Sequence, residues 1–187
     1  MRVEDSLGYW LVTATRYFAS ALDELLETHC VERGKPYVIN PAQWGVILEL
    51  STRDGHTIGT LAQRLGVDGP AITNLVKRLE QSGLVRRTRS REDERVVEVS
   101  LTAEGRDLHH SLDPLVEAFQ EKLLPADQQR QLIDHLQHLI AGVSVVAPDA
   151  GERFQSLRAY VHDKVRERGA TPGGPKEVPT GLEEMNE

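Results

Sequence analysis

Residues 57–87 read TIGTLAQRLGVDGPAITNLVKRLEQSGLVRR, and most of the architecture follows from the pattern of this segment. Its apolar residues recur at spacings of three and four in two short runs, as they do in amphipathic helices. Thr57 and Asp68 can cap the starts of the two helices, while Gly66 and Gly83 suit their ends. Two short helices joined by a tight turn that contains glycine make a helix-turn-helix.

The neighbouring segments complete a winged domain. Before the motif, Asn40 and Pro41 predict the start of a helix over 41–51. After it, the apolar period changes to two, which predicts strands at 84–89 and 95–101 joined by a polar tip. Because a hairpin directly after a helix-turn-helix is a wing, residues 41–101 are predicted to form a winged helix-turn-helix domain.

Wide apolar stripes flank this domain, on a helix over 4–28 and on helices over 102–146, where Pro114 is expected to introduce a kink. Such stripes exceed what a small winged domain can cover, so segments 1–40 and 102–146 are predicted to form a homodimer. The pattern also allows a helix at 147–168, and the Pro/Gly-rich acidic segment 169–187 is predicted to be disordered. The predicted fold class is mostly α with a small antiparallel β wing.

The charge is unevenly distributed along the chain. The 187 residues carry a net charge of −7, which is unusual for a protein that binds nucleic acid. Residues 77–95, however, hold seven cations against four anions. A basic patch on an acidic protein limits non-specific binding to DNA while keeping a directed interaction.

Other features of the sequence restrict its compartment and its chemistry. No apolar run of roughly 18 residues occurs, and the acidic start is unlike a signal peptide, so no membrane partner is expected. The single cysteine, Cys30, excludes an intramolecular disulfide and favours the cytoplasm. Because no phosphate-binding loop, nucleophile elbow or H-E-x-x-H motif is present, neither an enzyme nor a cofactor is predicted.

Three stretches together resemble the MarR family of bacterial regulators: PAQWGVILEL at 41–50, the segment 57–87 quoted above, and DERVVEVSLTAEG at 93–105. With the flanking helices, the resemblance covers residues 7–143. It implies a homodimer held by N- and C-terminal helices, with two winged domains on a pseudo-palindromic operator. It further implies repression more often than activation, and release of DNA when a small, often aromatic, anion binds between the dimer helices and the winged domain.

The second helix of the motif is the predicted recognition helix. With Ile72, Leu75, Val76 and Leu79 inward, the residues left on its outer face are Pro70, Thr73, Asn74 and Lys77. Asn can pair with adenine, Thr can contact a thymine methyl group, and Lys favours phosphate. A solvated polar face is the alternative. Many members of the family have Arg where this chain has Asn74, and Gly69-Pro70 replaces a commoner polar pair, which leaves the operator sequence open.

The wing supplies the second predicted DNA contact. The resemblance places Arg95 in the minor groove, with Asp93 helping to hold it, and narrow minor grooves attract arginine. Arg87 and Arg91 complete the predicted DNA-binding set. The alternative for Arg95 is a surface ion pair, which contributes little to stability.

Aromatic and basic side chains also predict an effector site. Aromatic walls and a cation suit an aromatic anion, and the residues of this type are Trp10, Arg16, Trp44, Arg106 and His109. The segment 30–39 is also expected to border a ligand pocket. The alternative is that both tryptophans belong to the core and both arginines to the surface.

Three further readings remain open at this point. Cys30 can be a redox sensor, although an ordinary free thiol is favoured because a sensor needs a depressed pKa. Two pairs of histidines could act as zinc ligands, namely His109 with His110 and His135 with His138. Because no further ligand in the sequence completes a site, no metal is predicted. A winged helix can also bind only protein, a function that does not require the arginines of the wing.

Overall fold

The computed structural model describes residues 2–53, 55–89 and 96–146. After a short 3₁₀ turn at Val3–Asp5, the elements follow in the order α1 (Leu7–Glu32), α2 (Pro41–Thr52), β1 (His56–Thr57), α3 (Ile58–Leu65), α4 (Gly69–Gln81), β2 (Val85–Arg89), β3 (Val97–Leu101), α5 (Ala103–Leu123) and α6 (Ala126–Val146). The three strands form one antiparallel sheet in the order β1-β3-β2. This confirms the predicted fold class.

The predicted helix starts are confirmed by side-chain caps. The Asn40 side chain accepts the Gln43 backbone N–H at 2.9 Å, and the Gln43 side chain accepts the Asn40 N–H at 3.1 Å, which makes a capping box. Thr57 and Asp68 accept in the same way from the backbone three residues later, at 3.0 and 2.7 Å. Gly66 ends α3 in the left-handed conformation, with φ +64°.

One continuous core joins the winged part of the chain to the long helices. α4 contributes Ile72, Val76 and Leu79, all fully buried. They pack in the same cluster as buried residues of α1, α2, the sheet and α5. Because the apolar stripe of α4 faces this cluster, the opposite face of the helix is left exposed.

The sequence did not predict β1. Its two residues are too few to show a period of two. β1 adds His56 opposite Val99 of β3. The His56 ring is buried, its Nε2 has no hydrogen-bond partner in the described part of the chain, and burial, followed by nearby Arg64, lowers its pKa.

Other boundaries differ by a few residues. α1 continues to Glu32 rather than ending near 28, since His29 and Cys30 are buried in its last turns. α5 is a single helix that includes Pro114, and the kink there stays a prediction. No helix in the described ranges combines the length and the hydropathy needed to cross a bilayer. The predicted helix at 147–168 and the predicted tail at 169–187 lie outside the described residues.

The first turn of α5 packs directly on the backbone at the start of the wing. The Thr102 backbone N–H and hydroxyl both donate to the Leu84 carbonyl, at 3.0 and 3.1 Å. A Cβ on Gly105 would lie 3.1 Å from the Leu84 carbonyl carbon and closer still to its oxygen. No side chain fits at Gly105 unless the backbone moves.

We therefore expect Gly105→Ala to lower the free energy of unfolding by about 1–3 kcal/mol, because the new methyl group overpacks a backbone contact. Urea denaturation followed by circular dichroism measures it. Gly142→Ala is the matched control: a Cβ at Gly142, within α6, meets nothing within 4 Å. There alanine should be neutral or stabilising, by up to about 1 kcal/mol. Equal stability of Gly105→Ala and the wild type would contradict the packing described.

Candidate nucleic-acid interface and effector region

The exposed face of α4 carries the residues predicted to read DNA. Pro70, Thr73, Asn74 and Lys77 are all exposed. The Thr73 hydroxyl donates to the Gly69 carbonyl at 2.7 Å, so its proton is engaged within the helix. The methyl group and the oxygen lone pairs of Thr73 remain available to a partner.

Asn74 and Lys77 are the free polar groups of this face. No hydrogen bond or salt bridge joins either side chain to another described residue. The Asn74 amide keeps both donor and acceptor available, as adenine recognition requires, and the Lys77 ammonium is available to a phosphate. Because their orientation is fixed by the buried side of α4, the two side chains project from one rigid surface.

Arg87 differs from these residues because it already has an anionic partner. Its Nε donates to Glu80 Oε2 at 2.9 Å, and its Nη2 donates to the same oxygen. The Arg87 hydrogen bonds hold the pKa of the Glu80 carboxyl below its usual range. This pair joins β2 to the last turns of α4, so a phosphate that binds Arg87 competes with Glu80. This pair could not be predicted from the sequence, because only the packing of α4 on β2 brings Glu80 within reach of Arg87.

The rest of the predicted DNA-binding set belongs to the segment between β2 and β3. Arg91, Asp93 and Arg95 fall outside the described residues, and their roles stay predictions. Among the described residues, Arg86 and Arg89 of β2 are exposed cations beside the same hairpin. The predicted set did not include them, although both belong to the basic segment 77–95.

Three of the five predicted effector residues come together near α5. Trp44 is buried, and its ring stacks on His109 with centroids 5.6 Å apart and planes inclined by 17°. Arg106 and His109 line a cavity of about 240 Å³ between the end of α2 and the start of α5. Trp44 is therefore a core residue, as the alternative held, and it also contacts a cavity residue.

Trp10 and Arg16 are not among the residues that line this cavity. Trp10 lies near the start of α1 and is 53% exposed. Its indole N–H donates to the Glu4 carbonyl at 2.9 Å, and its ring meets the edge of Tyr9. Arg16 lies one to two turns further along α1 and is exposed.

A larger cavity of about 670 Å³ lies beside the segment that joins α1 to α2. Its lining includes Pro36–Asn40 on one side and Arg78 and Gln81 of α4 on the other, with Asp23 of α1. The end of the segment 30–39 thus borders a cavity, and its role as a ligand pocket stays a prediction. Lys35 and Tyr37 anchor it to α5, since both donate to Glu104 Oε1, at 2.6 and 2.5 Å.

The environment of Cys30 is unlike that of a redox sensor. Its side chain is fully buried, and burial raises the pKa of the thiol. A reactive cysteine is accessible and has a lowered pKa. The neighbouring His29 is a hydrogen-bond partner of Ser111, at 2.9 Å, and burial lowers its pKa, so it is not a cation that would stabilise a thiolate.

The histidines considered as zinc ligands are not grouped with further metal-binding side chains in the described ranges. Within the described residues, no group of three or more His, Cys, Asp or Glu side chains is placed to hold a metal ion. His138 Nδ1 lies 2.8 Å from the backbone carbonyl of Asp134 in its own helix. This contact and its exposure are those of a solvated helix histidine.

Comparison with known proteins agrees with the geometry. A family model described as "MarR family" matches residues 39–96. The chain is 33% identical over 135 residues to the HTH-type transcriptional regulator TtmR of Methylorubrum extorquens, which covers 72% of this chain and 65% of TtmR. It is 32% identical over 107 residues to the uncharacterized HTH-type transcriptional regulator YwoH of Bacillus subtilis, covering 56% of this chain and 77% of YwoH. The chain thus spans slightly less than two thirds of the length of TtmR.

Among solved structures, the chain is similar to the transcriptional repressor CouR bound to a 23-mer DNA duplex. The TM-score is 0.60 at 30% identity, and the match covers 73% of this chain and 94% of CouR. A probable transcriptional regulator from Pseudomonas aeruginosa matches with a TM-score of 0.62 at 23% identity over 74% of this chain and 99% of its own, and supports the fold alone.

The burial of Cys30 leads to a test of the redox alternative. We expect the native protein to react with a thiol reagent such as Ellman's reagent at least about a hundredfold more slowly than the urea-unfolded chain, because reaction requires opening of the core. The absorbance of the released thiolate measures both rates, and the unfolded chain is the internal control. Native labelling as fast as unfolded labelling would restore Cys30 as a candidate sensor.

Proposed function

The chain belongs to the MarR family of transcriptional regulators, which are not enzymes, and from this membership we propose that it binds a pseudo-palindromic DNA operator as a homodimer in the cytoplasm and represses transcription. The observation that carries the proposal is the exposed face of α4, where neither Asn74 nor Lys77 is paired with another described residue. A repressor bound to DNA is among its similar structures, at 30% identity. A winged helix that binds only protein has no need of free groups of this type beside a basic hairpin.

Each side chain of the recognition face has a distinct proposed role. Asn74 reads a base edge, since its amide can form two hydrogen bonds to adenine. Lys77 contacts phosphate and contributes affinity without sequence preference. Thr73 and Pro70 pack against the groove. Arg91, Asp93 and Arg95 of the wing are proposed to reach the minor groove, on the resemblance of the motif to those of the family.

The proposed homodimer rests on apolar surface that the single chain leaves uncovered. Phe18 of α1 and Leu132 and Ile133 of α6 line an apolar groove of about 200 Å³, and all three are more than 40% exposed. Further exposed apolar residues extend along the same two helices, namely Leu7, Val12, Tyr17, Val143 and Val145. Apolar patches of this extent on a monomer mark interaction sites. A second copy of the chain, related by a twofold axis, covers both patches at once.

We further propose that a small aromatic anion acts as effector and lowers the affinity for the operator. Trp44, Arg106 and His109 support this proposal because they combine an aromatic wall with a cation beside a cavity. Trp10 and Arg16 remain proposed on their sequence alone. An effector shifts the equilibrium only by its differential affinity for the two forms, typically about 1–3 kcal/mol.

Substitutions on α4 distinguish a side chain that recognises a base from one that contacts only phosphate. Asn74→Ala should relax the preference at one base pair per half-site, with a cost of about 1–3 kcal/mol on the best sequence. Lys77→Ala should weaken binding to all sequences alike and reduce the slope of log K against log salt by about one per half-site. Electrophoretic shifts over a salt series, on matched and mutated operators, measure both effects.

Lys122→Ala is the charge-matched control, because Lys122 is an exposed lysine in the last turn of α5 and should leave the slope unchanged. If Asn74→Ala and Lys77→Ala weaken every sequence equally, Asn74 does not read a base. If neither substitution affects DNA binding, or if the protein binds no DNA at any salt concentration, the DNA proposal fails. The alternative that the winged helix binds only protein is then favoured.

The dimer surface is tested by matched substitutions. Multi-angle light scattering should give twice the 20.9 kDa mass of the chain for the wild type. Ile133→Lys should yield monomers, because a charge placed in the apolar groove cannot be paired when the surface is covered. Leu48→Lys is the control: Leu48 of α2 is 42% exposed, close to the 41% of Ile133, but lies on another face. A stable wild-type monomer at micromolar concentration would rule out the proposed assembly.

A further inference from the structure

A single carboxylate, that of Glu80, stands among the cations of the recognition helix and the first strand of the wing. α4 and β2 contain no other acidic residue, whereas their cationic residues are Lys77, Arg78, Arg86, Arg87 and Arg89. Glu80 follows Lys77 by three residues, so it borders the face of α4 that is proposed to meet DNA. A carboxylate in this position repels the phosphates of DNA unless a neighbouring cation neutralises it.

The register of the sheet brings the Arg87 side chain to Glu80. Arg87 lies opposite Val99 of β3, and Val85, two residues earlier in β2, is buried. Because residues two apart share one face of a strand, Arg87 leaves β2 on the side that packs against the core, beside the end of α4. Both partners stay accessible to solvent, with side-chain exposures of 39% for Arg87 and 34% for Glu80. A phosphate can therefore reach the pair.

The hydrogen bonds of the pair do not use the full capacity of the guanidinium. Arg87 Nε, at 2.9 Å, and Arg87 Nη2 both donate to the same oxygen, Oε2 of Glu80. The strongest complexes of arginine with carboxylates and phosphates use two parallel N–H bonds to two different oxygens. An exposed ion pair also contributes little to stability. The contact with Glu80 is therefore one that a phosphate group displaces.

We propose that Glu80 competes with DNA phosphate for Arg87 and thereby limits the affinity of the chain for DNA of every sequence. In the free protein, Glu80 holds the Arg87 guanidinium against α4. In the complex, the guanidinium turns to a backbone phosphate, and the Glu80 carboxylate is left without its partner beside a negatively charged strand. Because phosphate contacts carry no sequence information, the cost of this exchange is the same on every site. The inference rests on the proposed DNA binding and assigns a residue that opposes it.

A double-mutant cycle on the full chain isolates this competition. Glu80→Gln should tighten binding to duplexes of random sequence by roughly threefold or more, because an exposed ion pair no longer has to be broken. Arg87→Gln should weaken binding and reduce the slope of log K against log salt by about one per half-site. In the Arg87→Gln background, Glu80→Gln should have no further effect, since no guanidinium remains to be released. Fluorescence anisotropy of labelled duplexes over a salt series measures every member of the cycle.

Glu98→Gln is the charge-matched control. Glu98 of β3 lies opposite Thr88, so its side chain leaves the sheet on the other face from that of Arg87. Its removal changes the net charge by the same amount and should alter the affinity by less than about twofold, because salt screens exposed charges that make no direct contact. The acidic residues at 92–94 lie outside the described residues. They are present in every member of the cycle, so their influence cancels.

Two results would overturn the proposal. Unchanged or weaker binding in Glu80→Gln, with native circular dichroism, would show that Glu80 orients Arg87 for DNA rather than competing for it. An equal gain of affinity in the Arg87→Gln background, or in Glu98→Gln, would show that the effect is one of net charge.

Retention on heparin, a sulfated polyanion without bases, repeats the cycle without any operator. If Glu80→Gln delays elution from heparin only when Arg87 is present, but no sequence is selected from random DNA, the competition stands and the operator proposal fails. If an operator is selected while Glu80 and Arg87 show no coupling on DNA or on heparin, the reverse holds. A chain that binds neither DNA nor heparin at low salt would contradict both proposals.

Discussion

The contact between the first turn of α5 and the carbonyl of Leu84 connects the winged part of the chain to the long helix. The proposed DNA-binding face and the cavity beside α5 both depend on it. Thr102 holds that carbonyl through its backbone N–H and its hydroxyl, and Gly105 leaves no side chain between the two backbones. The contact sets where β2 leaves the recognition helix and where α5 begins. Since α5 also carries Arg106 and His109, the proposed DNA-binding face and the cavity between α2 and α5 meet at this one contact.

This arrangement connects the cavity of the proposed effector to the proposed DNA-binding face. Glu104, in the same turn, receives hydrogen bonds from Lys35 and Tyr37 of the segment between α1 and α2. A displacement of the start of α5 therefore acts on the wing through Leu84 and on α1 through the joining segment. The proposed homodimer converts such a displacement into a changed distance between two recognition helices, to which DNA with fixed half-site spacing is sensitive.

Local patterns allowed much of this molecule to be predicted from sequence. The periods of three and four, together with Asn40, Thr57 and Asp68 as caps, predicted α2, α3 and α4 because neighbouring residues determine these features. The two-residue strand β1 and the Glu80–Arg87 pair were missed, since both depend on which distant segments meet. Of the predicted effector residues, Trp44, Arg106 and His109 come together, whereas Trp10 and Arg16 of α1 do not line the same cavity. Residue type alone carries no information on such proximity.

The central claim is that two copies of the chain present the exposed face of α4 to one DNA duplex. Selection of bound sequences from a random pool of double-stranded DNA, followed by sequencing, tests it most directly. The account predicts enrichment of a pseudo-palindrome whose half-sites are centred about one helical turn, roughly 10 base pairs, apart. Enrichment of a single unsymmetrical site, or no enrichment over the starting pool, would contradict it.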